Sequence, residues 1–296
     1  MDFRDYARQI RSFGRELTPD SLGATRRLLE PQVPLPDPAE VQVVRDVQYG
    51  SHERQRLDVF TPAGGFEPQR PLLIFVHGGG FVTGDKHTEG SPFYSNIGVW
   101  AVRNGCNAVI MTYRLAPQNP WPAGLEDIHQ VFRYLRHAGG EHGVDADCVF
   151  LMGQSAGAAH AASYVAHPEH YAPFAHGVTG LVLLSGLYDY TSIDVGPMGR
   201  AYLGEDTGLY ESRSSLKGLV ESNLPMLVTL SEYDPPMFEQ QGLQLLTAYQ
   251  KRHEQLPHFV HASGQNHLSI ALSLGLEGNL LGPQLKAFIE EYSRQR

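Results

Sequence analysis

The stretch that most constrains this chain is residues 148–163. Cys148-Val-Phe-Leu-Met152 is an unbroken apolar run, Gly153-Gln-Ser-Ala-Gly157 is glycine-flanked, and Ala158-Ala-His-Ala-Ala-Ser163 reads as a helix. A strand apolar on both faces has to be covered on both, which places it inside a mostly parallel sheet with helices above and below. The glycines allow a sharp turn, because a Cβ at either flank would clash where strand and helix converge. Such a turn lifts the Ser155 oxygen above the sheet, and the new helix aims its N-terminal N–H groups at the same spot. The pattern Gly-x-Ser-x-Gly alone is expected about 0.2 times in a chain of this make-up. The strand–turn–helix setting therefore carries the reading of a nucleophile elbow, against the alternative of an ordinary tight turn.

The remaining chain follows the same alternation. Residues 41–47 and 57–60 read as short strands, and Leu72–Val76 and Ala108–Met111 are further apolar runs. Residues 122–137 place Leu125, Ile128, Val131, Phe132 and Leu135 on one helical side, and more runs follow at 178–184, 226–230 and 259–261. This predicts an α/β fold with a mostly parallel central sheet of about eight strands and helices on both faces. Residues 1–30 read as two helices. Phe3, Tyr6, Ile10 and Phe13 share one face of the first. Thr18 caps the second with Pro19 at its first position, and Leu22, Leu28 and Leu29 form its apolar stripe. The proline-rich segment 31–38 is a connector. The expected division is an N-terminal helical segment, 1–38, and a main domain, 39–296. An insertion at about 190–220, without a clear strand, is expected to lie above the sheet.

His77-Gly-Gly-Gly-Phe81 follows a buried strand directly. Three glycines let the backbone approach a bound group and turn its N–H groups on one oxygen, so Gly79, Gly80 and Ala156 are assigned as oxyanion donors. His77 reads as a brace for that loop. A serine hydroxyl needs a base to take its proton, and the base a carboxylate to hold it. His267, in a turn just past the strand-like 259–261, is the candidate base, with His258 and His261 as structural neighbours. Asp234, past the run 226–230, is the candidate acid, Glu232 its near competitor and Asp189 a weaker one. The order Ser155, Asp234, His267 matches one triad-bearing fold class.

With those residues in place, the chain resembles the α/β-hydrolases, and within them the hormone-sensitive-lipase-like carboxylesterases. The resemblance rests on His77-Gly-Gly-Gly-Phe81, Tyr113-Arg-Leu-Ala-Pro117, Pro122-Ala-Gly-Leu-Glu-Asp127 with Phe132 to Leu135, Gly153-Gln-Ser-Ala-Gly157 and Tyr233-Asp-Pro235. It runs from about residue 40 to the end, and residues 1–38 resemble the family's cap. It implies serine-dependent hydrolysis of small esters, with no metal and no organic cofactor. Gln154 stands where the family often has Asp, Ala158 where it has a second Gly, and Asn266-His267-Leu268 where the histidine motif is His-Gly-Phe-like. The last feature, with Leu187-Tyr-Asp-Tyr190, also resembles the kynurenine formamidases and related esterases.

Composition narrows the partners. With 32 acidic against 23 basic residues the chain carries a formal charge of −9, which opposes binding to nucleic acid or to anionic lipid. Only two cysteines are present, so no disulfide framework is expected, and a reducing compartment fits better. The first residues carry charges where a leader needs an apolar run, and no stretch reaches the roughly 18 apolar residues of a membrane span. A cytoplasmic protein is expected. The partner is a small-molecule ester. A homodimer through the last strand or helix is compatible with the residues and not required by them. Phe81, Trp121, Tyr188, Tyr190, Met198 and Tyr202 are assigned to a modest acyl or alcohol pocket, each also able simply to cover core. No broad apolar lid stands out, which favours short acyl chains. The alternatives are an aryl formamidase or an acetyl- or feruloyl-ester hydrolase using the same triad, and a ligand-binding protein on a non-catalytic hydrolase scaffold.

Overall fold

The computed structural model describes residues 3–65, 69–172 and 176–294; the side chains of Phe3 and Arg4 lie outside the described set. Eight strands form one sheet: β1 (Val41–Gln48), β2 (Arg56–Pro62), β3 (Leu72–Val76), β4 (Asn107–Met111), β5 (Val149–Gln154), β6 (Gly180–Leu184), β7 (Met226–Tyr233) and β8 (His258–Asn266). Their spatial order is β1-β2-β4-β3-β5-β6-β7-β8. β1 pairs antiparallel with β2 and β2 with β4, and every later pairing is parallel.

The helices are α1 (Phe3–Ser12), α2 (Pro19–Leu29), α3 (Ser95–Arg103), α4 (Ala123–Ala138), α5 (Ala156–Ala166) and α6 (Gly196–Leu203). After them come α7 (Tyr210–Arg213), α8 (Leu216–Glu221), α9 (Pro236–His253), α10 (Ser269–Leu272) and α11 (Leu281–Ser293). The alternation of side chains along each strand divides the core in two. Leu73, Phe75, Phe150, Met152, Val182 and Leu184 face α1, α3, α10 and α11. Leu72, Ile74, Val149, Leu151, Leu181 and Leu183 face α4, α5 and α9. A third cluster lies past the carboxyl ends of the strands, where Phe81, Tyr190, Tyr202, Leu203 and Phe238 pack on Ala156 and Ala159. Residues 190–220 hold no strand and carry α6, α7 and most of α8 between irregular turns.

At α2 the expected start is seen in full: Thr18 and Ser21 form a reciprocal capping box, with Pro19 first in the helix. Thr25 and Leu29 are its buried residues, while Leu22 and Leu28 are half-buried. Several strands run past the bounds read from the sequence, and two of these extensions alter the reading of the site. β7 continues through Ser231, Glu232 and Tyr233 rather than looping after Leu230. β8 continues to Asn266, so Gly264, Gln265 and Asn266 are strand residues and not a turn. The reason is that β8 is an edge strand. Phe259, His261 and Ser263 face outward, so its apolar signal alternates and fades where backbone pairing persists.

Candidate active site

The elbow is built as the glycines require. A Cβ on Gly153 would stand 2.2 Å from the Gly157 carbonyl oxygen, and one on Gly157 2.0 Å from the Val76 oxygen. Neither glycine is needed for a left-handed backbone; both are needed for close approach. Ser155, between β5 and α5, takes the strained conformation φ 56°, ψ −120°, and its N–H donates to the Leu184 oxygen at 2.9 Å. A non-glycine residue held there costs of order 1–3 kcal/mol and marks a constrained site.

The glycine loop lies against it. A Cβ on Gly78 would fall 3.2 Å from the Ser155 Cβ. Gly79 has φ 135° and Gly80 φ 58°, and the amides of both have no hydrogen-bond partner among the described residues. Ala156 is the first residue of α5, where an N–H has no partner within its own helix. His77 is fully buried, stacks on Tyr113 with ring centres 4.5 Å apart, and donates from Nδ1 to the Gly78 oxygen at 2.6 Å. Burial drives its pKa down to about 4, so the ring is neutral. The Tyr113 hydroxyl donates to the His77 oxygen at 3.0 Å and closes the brace.

Just past the ends of the neighbouring strands β8 and β7, His267 Nδ1 donates to Asp234 Oδ1 at 2.7 Å, with both residues buried. The other carboxylate oxygen accepts two bonds of 2.6 Å, from the Ser185 hydroxyl and the Ser231 N–H. His267 Nε2 is buried and has no hydrogen-bond partner among the described residues. The imidazole rests on the Phe238 ring, centres 4.1 Å apart. Gln154 Nε2 donates to the His267 carbonyl oxygen at 2.9 Å, so the residue before Ser155 is tied to the histidine. Glu232 lies elsewhere, accepting the Gly264 N–H at 2.7 Å across the β7–β8 irregularity, and its pKa is lowered chiefly by that bond. Asp189 closes its own turn onto Thr191.

The six assigned pocket residues separate. Tyr188, Tyr190 and Tyr202 are each only 1% exposed and belong to the core. Phe81 is buried and stacks on Tyr202, centres 4.6 Å apart. Trp121 is half-buried under the Arg213 guanidinium, 5.4 Å from the ring centre. Met198, 54% exposed, lies over the glycine loop: a Cβ on Gly80 would stand 2.7 Å from its Sδ. Sequence reasoning placed Gln154 in the serine motif without its tie to His267, and did not bring Ser185 or Phe238 to the site. The only trace of Ser185 is its place at the end of an apolar run, where chemistry gathers in parallel sheets.

Fold and site together define an α/β-hydrolase. The chain matches the alpha/beta hydrolase fold family over residues 73–268 and belongs to it. It is 32% identical over 162 residues to a probable carboxylesterase of Arabidopsis thaliana, a match covering 50% of each chain. It is 26% identical over 254 residues to the kynurenine formamidase of Danio rerio, covering 81% of this chain and 80% of that one. The chain spans about half or less of the length of the curated carboxylesterase and esterase relatives it matches by sequence. Esterase B of Lactobacillus rhamnosis, solved with a tributyrin phosphonate inhibitor, shares the fold with a TM-score of 0.77 at 18% identity, covering 100% of this chain and 97% of that one. Among the described residues no helix is long and apolar enough to cross a membrane, and no group of three or more His, Cys, Asp or Glu is placed to hold a metal ion.

Proposed function

We propose that the chain is a serine carboxylesterase acting on short-chain acyl esters through Ser155, His267 and Asp234. The observation that carries this is the buried Asp234–His267 pair, 2.7 Å apart, with the outer imidazole nitrogen left without a partner. Asp234 fixes the tautomer in which Nε2 is an acceptor. Ser155 Oγ attacks the ester carbonyl carbon while Nε2 takes its proton. The oxyanion is held by the N–H groups of Gly79, Gly80 and Ala156. The intermediate then expels the alcohol, protonated by His267, and leaves an acyl-Ser155. Water, deprotonated by His267, attacks the acyl carbon and releases the acid. Met198 over Gly80 restricts the space beside the oxyanion donors, which supports small acyl groups. Cys106 and Cys148 are free thiols, which supports a cytoplasmic setting.

The test is hydrolysis of p-nitrophenyl acetate, butyrate, octanoate and palmitate, with Ser155→Ala as control. Turnover greatest on the short esters and lost in the variant is the expected result; hydrolysis retained by Ser155→Ala overturns the nucleophile. A second reading, an aryl formamidase, is favoured by the wide alignment to the fish kynurenine formamidase. An aryl formamide turned over with a higher kcat/KM than any of the esters would select it.

A further inference from the structure

Ser185 holds a backbone that a serine would not choose. It follows β6, is fully buried and has φ 48°, in the left-handed region that favours glycine. A strained non-glycine residue persists where its side chain is used. Here its hydroxyl donates to Asp234 Oδ2 at 2.6 Å, beside the Ser231 N–H at the same distance, while Oδ1 receives His267 Nδ1 at 2.7 Å. Its own N–H donates to the Thr229 oxygen at 3.2 Å, which fixes the hydroxyl against β7.

We propose that Ser185 is a positioning residue for the reaction. Its O–H, with the Ser231 N–H, locks the rotation of the Asp234 carboxylate and so keeps Oδ1 on the imidazole. This rests on the Ser155–His267–Asp234 reading of the site. Without the hydroxyl, Oδ2 keeps one donor and the carboxylate is free to turn. The positive end of the O–H dipole no longer offsets the carboxylate charge, so the carboxylate holds an imidazolium more strongly. Turnover falls and the acid limb of the kcat/KM profile moves to higher pH. The affinity for substrate stays constant, because Ser185 is fully buried.

The surrounding charges do not change with the substitution. Arg15 Nε donates to the Asp234 main-chain oxygen at 2.6 Å, and the Arg15 guanidinium pairs with Glu239 at the start of α9. Glu232 is turned to Gly264, and the Tyr188 hydroxyl, near Asp234, is held protonated by burial.

The experiment measures pH profiles on p-nitrophenyl acetate for Ser185→Ala and Ser185→Gly, the second relieving the left-handed strain. Thr229→Val, one strand across, removes a buried hydroxyl that has no hydrogen-bond partner among the described residues, as control. Both Ser185 variants are expected to lose about tenfold in kcat and to shift the acid limb up by about half a pH unit, while Thr229→Val leaves the limb in place. Folding is checked by thermal melting; since Gly suits the backbone, a collapse of Ser185→Ala alone leaves the test intact. The proposal is overturned if the folded Ser185 variants keep the wild-type profile, or if Thr229→Val shifts it equally. Hydrolysis surviving in His267→Gln would instead remove the triad reading beneath it.

Discussion

Replacing Asp234 by Asn tests the acid with almost no change of shape. The aspartate accepts three hydrogen bonds: one on Oδ1 from His267, and two on Oδ2 from Ser185 and Ser231. The Ser231 donor is a main-chain N–H and cannot reverse its role, so the Asn oxygen must take the Oδ2 place and its NH2 group must face His267. That NH2 can only donate, which makes Nδ1 the acceptor and puts the imidazole proton on Nε2, where it can no longer receive one from Ser155. A wrong tautomer of this kind lowers kcat by about 10⁴, equivalent to about 5.5 kcal/mol of transition-state stabilisation. The assay is kcat on p-nitrophenyl acetate at neutral pH, beside urea unfolding to show that the variant is folded. Glu232→Gln is the paired control: its carboxylate accepts from the Gly264 N–H and bonds the Tyr233 side chain, not His267, so stability changes slightly and turnover does not. A folded Asp234→Asn retaining more than about a tenth of wild-type kcat would refute the reasoning, because the tautomer argument allows no such remainder.

Gly157→Ala brings a Cβ to 2.0 Å from the Val76 oxygen, a backbone atom that cannot move without parting β3 from α5. A loss of about 3 kcal/mol or more in urea unfolding is expected, with little soluble protein. His160 is buried against Phe81, Tyr113 and Tyr202, with neither ring nitrogen hydrogen-bonded among the described residues, and burial drives its pKa down to about 3. Because the folded value lies below the unfolded one, its contribution is present above about pH 6.5 and lost as pH falls towards 3, at about 1.4 kcal/mol per pH unit. His160→Leu should therefore lose less stability than wild type between pH 7 and pH 5, and an unchanged difference in urea midpoints would contradict this. Met198→Ala clears the space over Gly80 and, the side chain being exposed, should leave melting unchanged while raising kcat/KM on octanoate relative to acetate.

The sheet was legible because β3, β4, β5 and β6 are buried along their whole length and so are written as unbroken apolar runs. Close approach was legible for the same kind of reason: only glycine satisfies the distances at Gly153 and Gly157. What the sequence hid were residues whose role depends on a partner far along the chain. Ser185 meets an acid 49 positions away, and Gln154 a carbonyl 113 positions away. No spacing rule connects such pairs. Gln154 also shows why a departure from a family pattern is informative: an amide donates to the His267 carbonyl, which a carboxylate in its place cannot do.

The N-terminal residues join the site by the same long-range means. The Tyr6 hydroxyl donates to Gln265 Oε1 at 2.7 Å, and Asn266 Nδ2 donates to Thr25 Oγ1 at 2.8 Å. Arg15 donates to the Asp234 main chain at 2.6 Å. Gln265 and Asn266 are the two residues before His267, and Asp234 is its partner, so α1, α2 and their connection grip both halves of the Asp234–His267 pair. Ile10 and Leu29 add apolar burial to the same face of the sheet. A polar contact holds geometry only where its surroundings exclude water and fix both ends. The helices supply the dry surroundings, and the three hydrogen bonds place them on the histidine and aspartate. Loosening this segment should therefore reach the imidazole before it reaches the centre of the sheet, where β3 and β5 are held by neighbours on both sides.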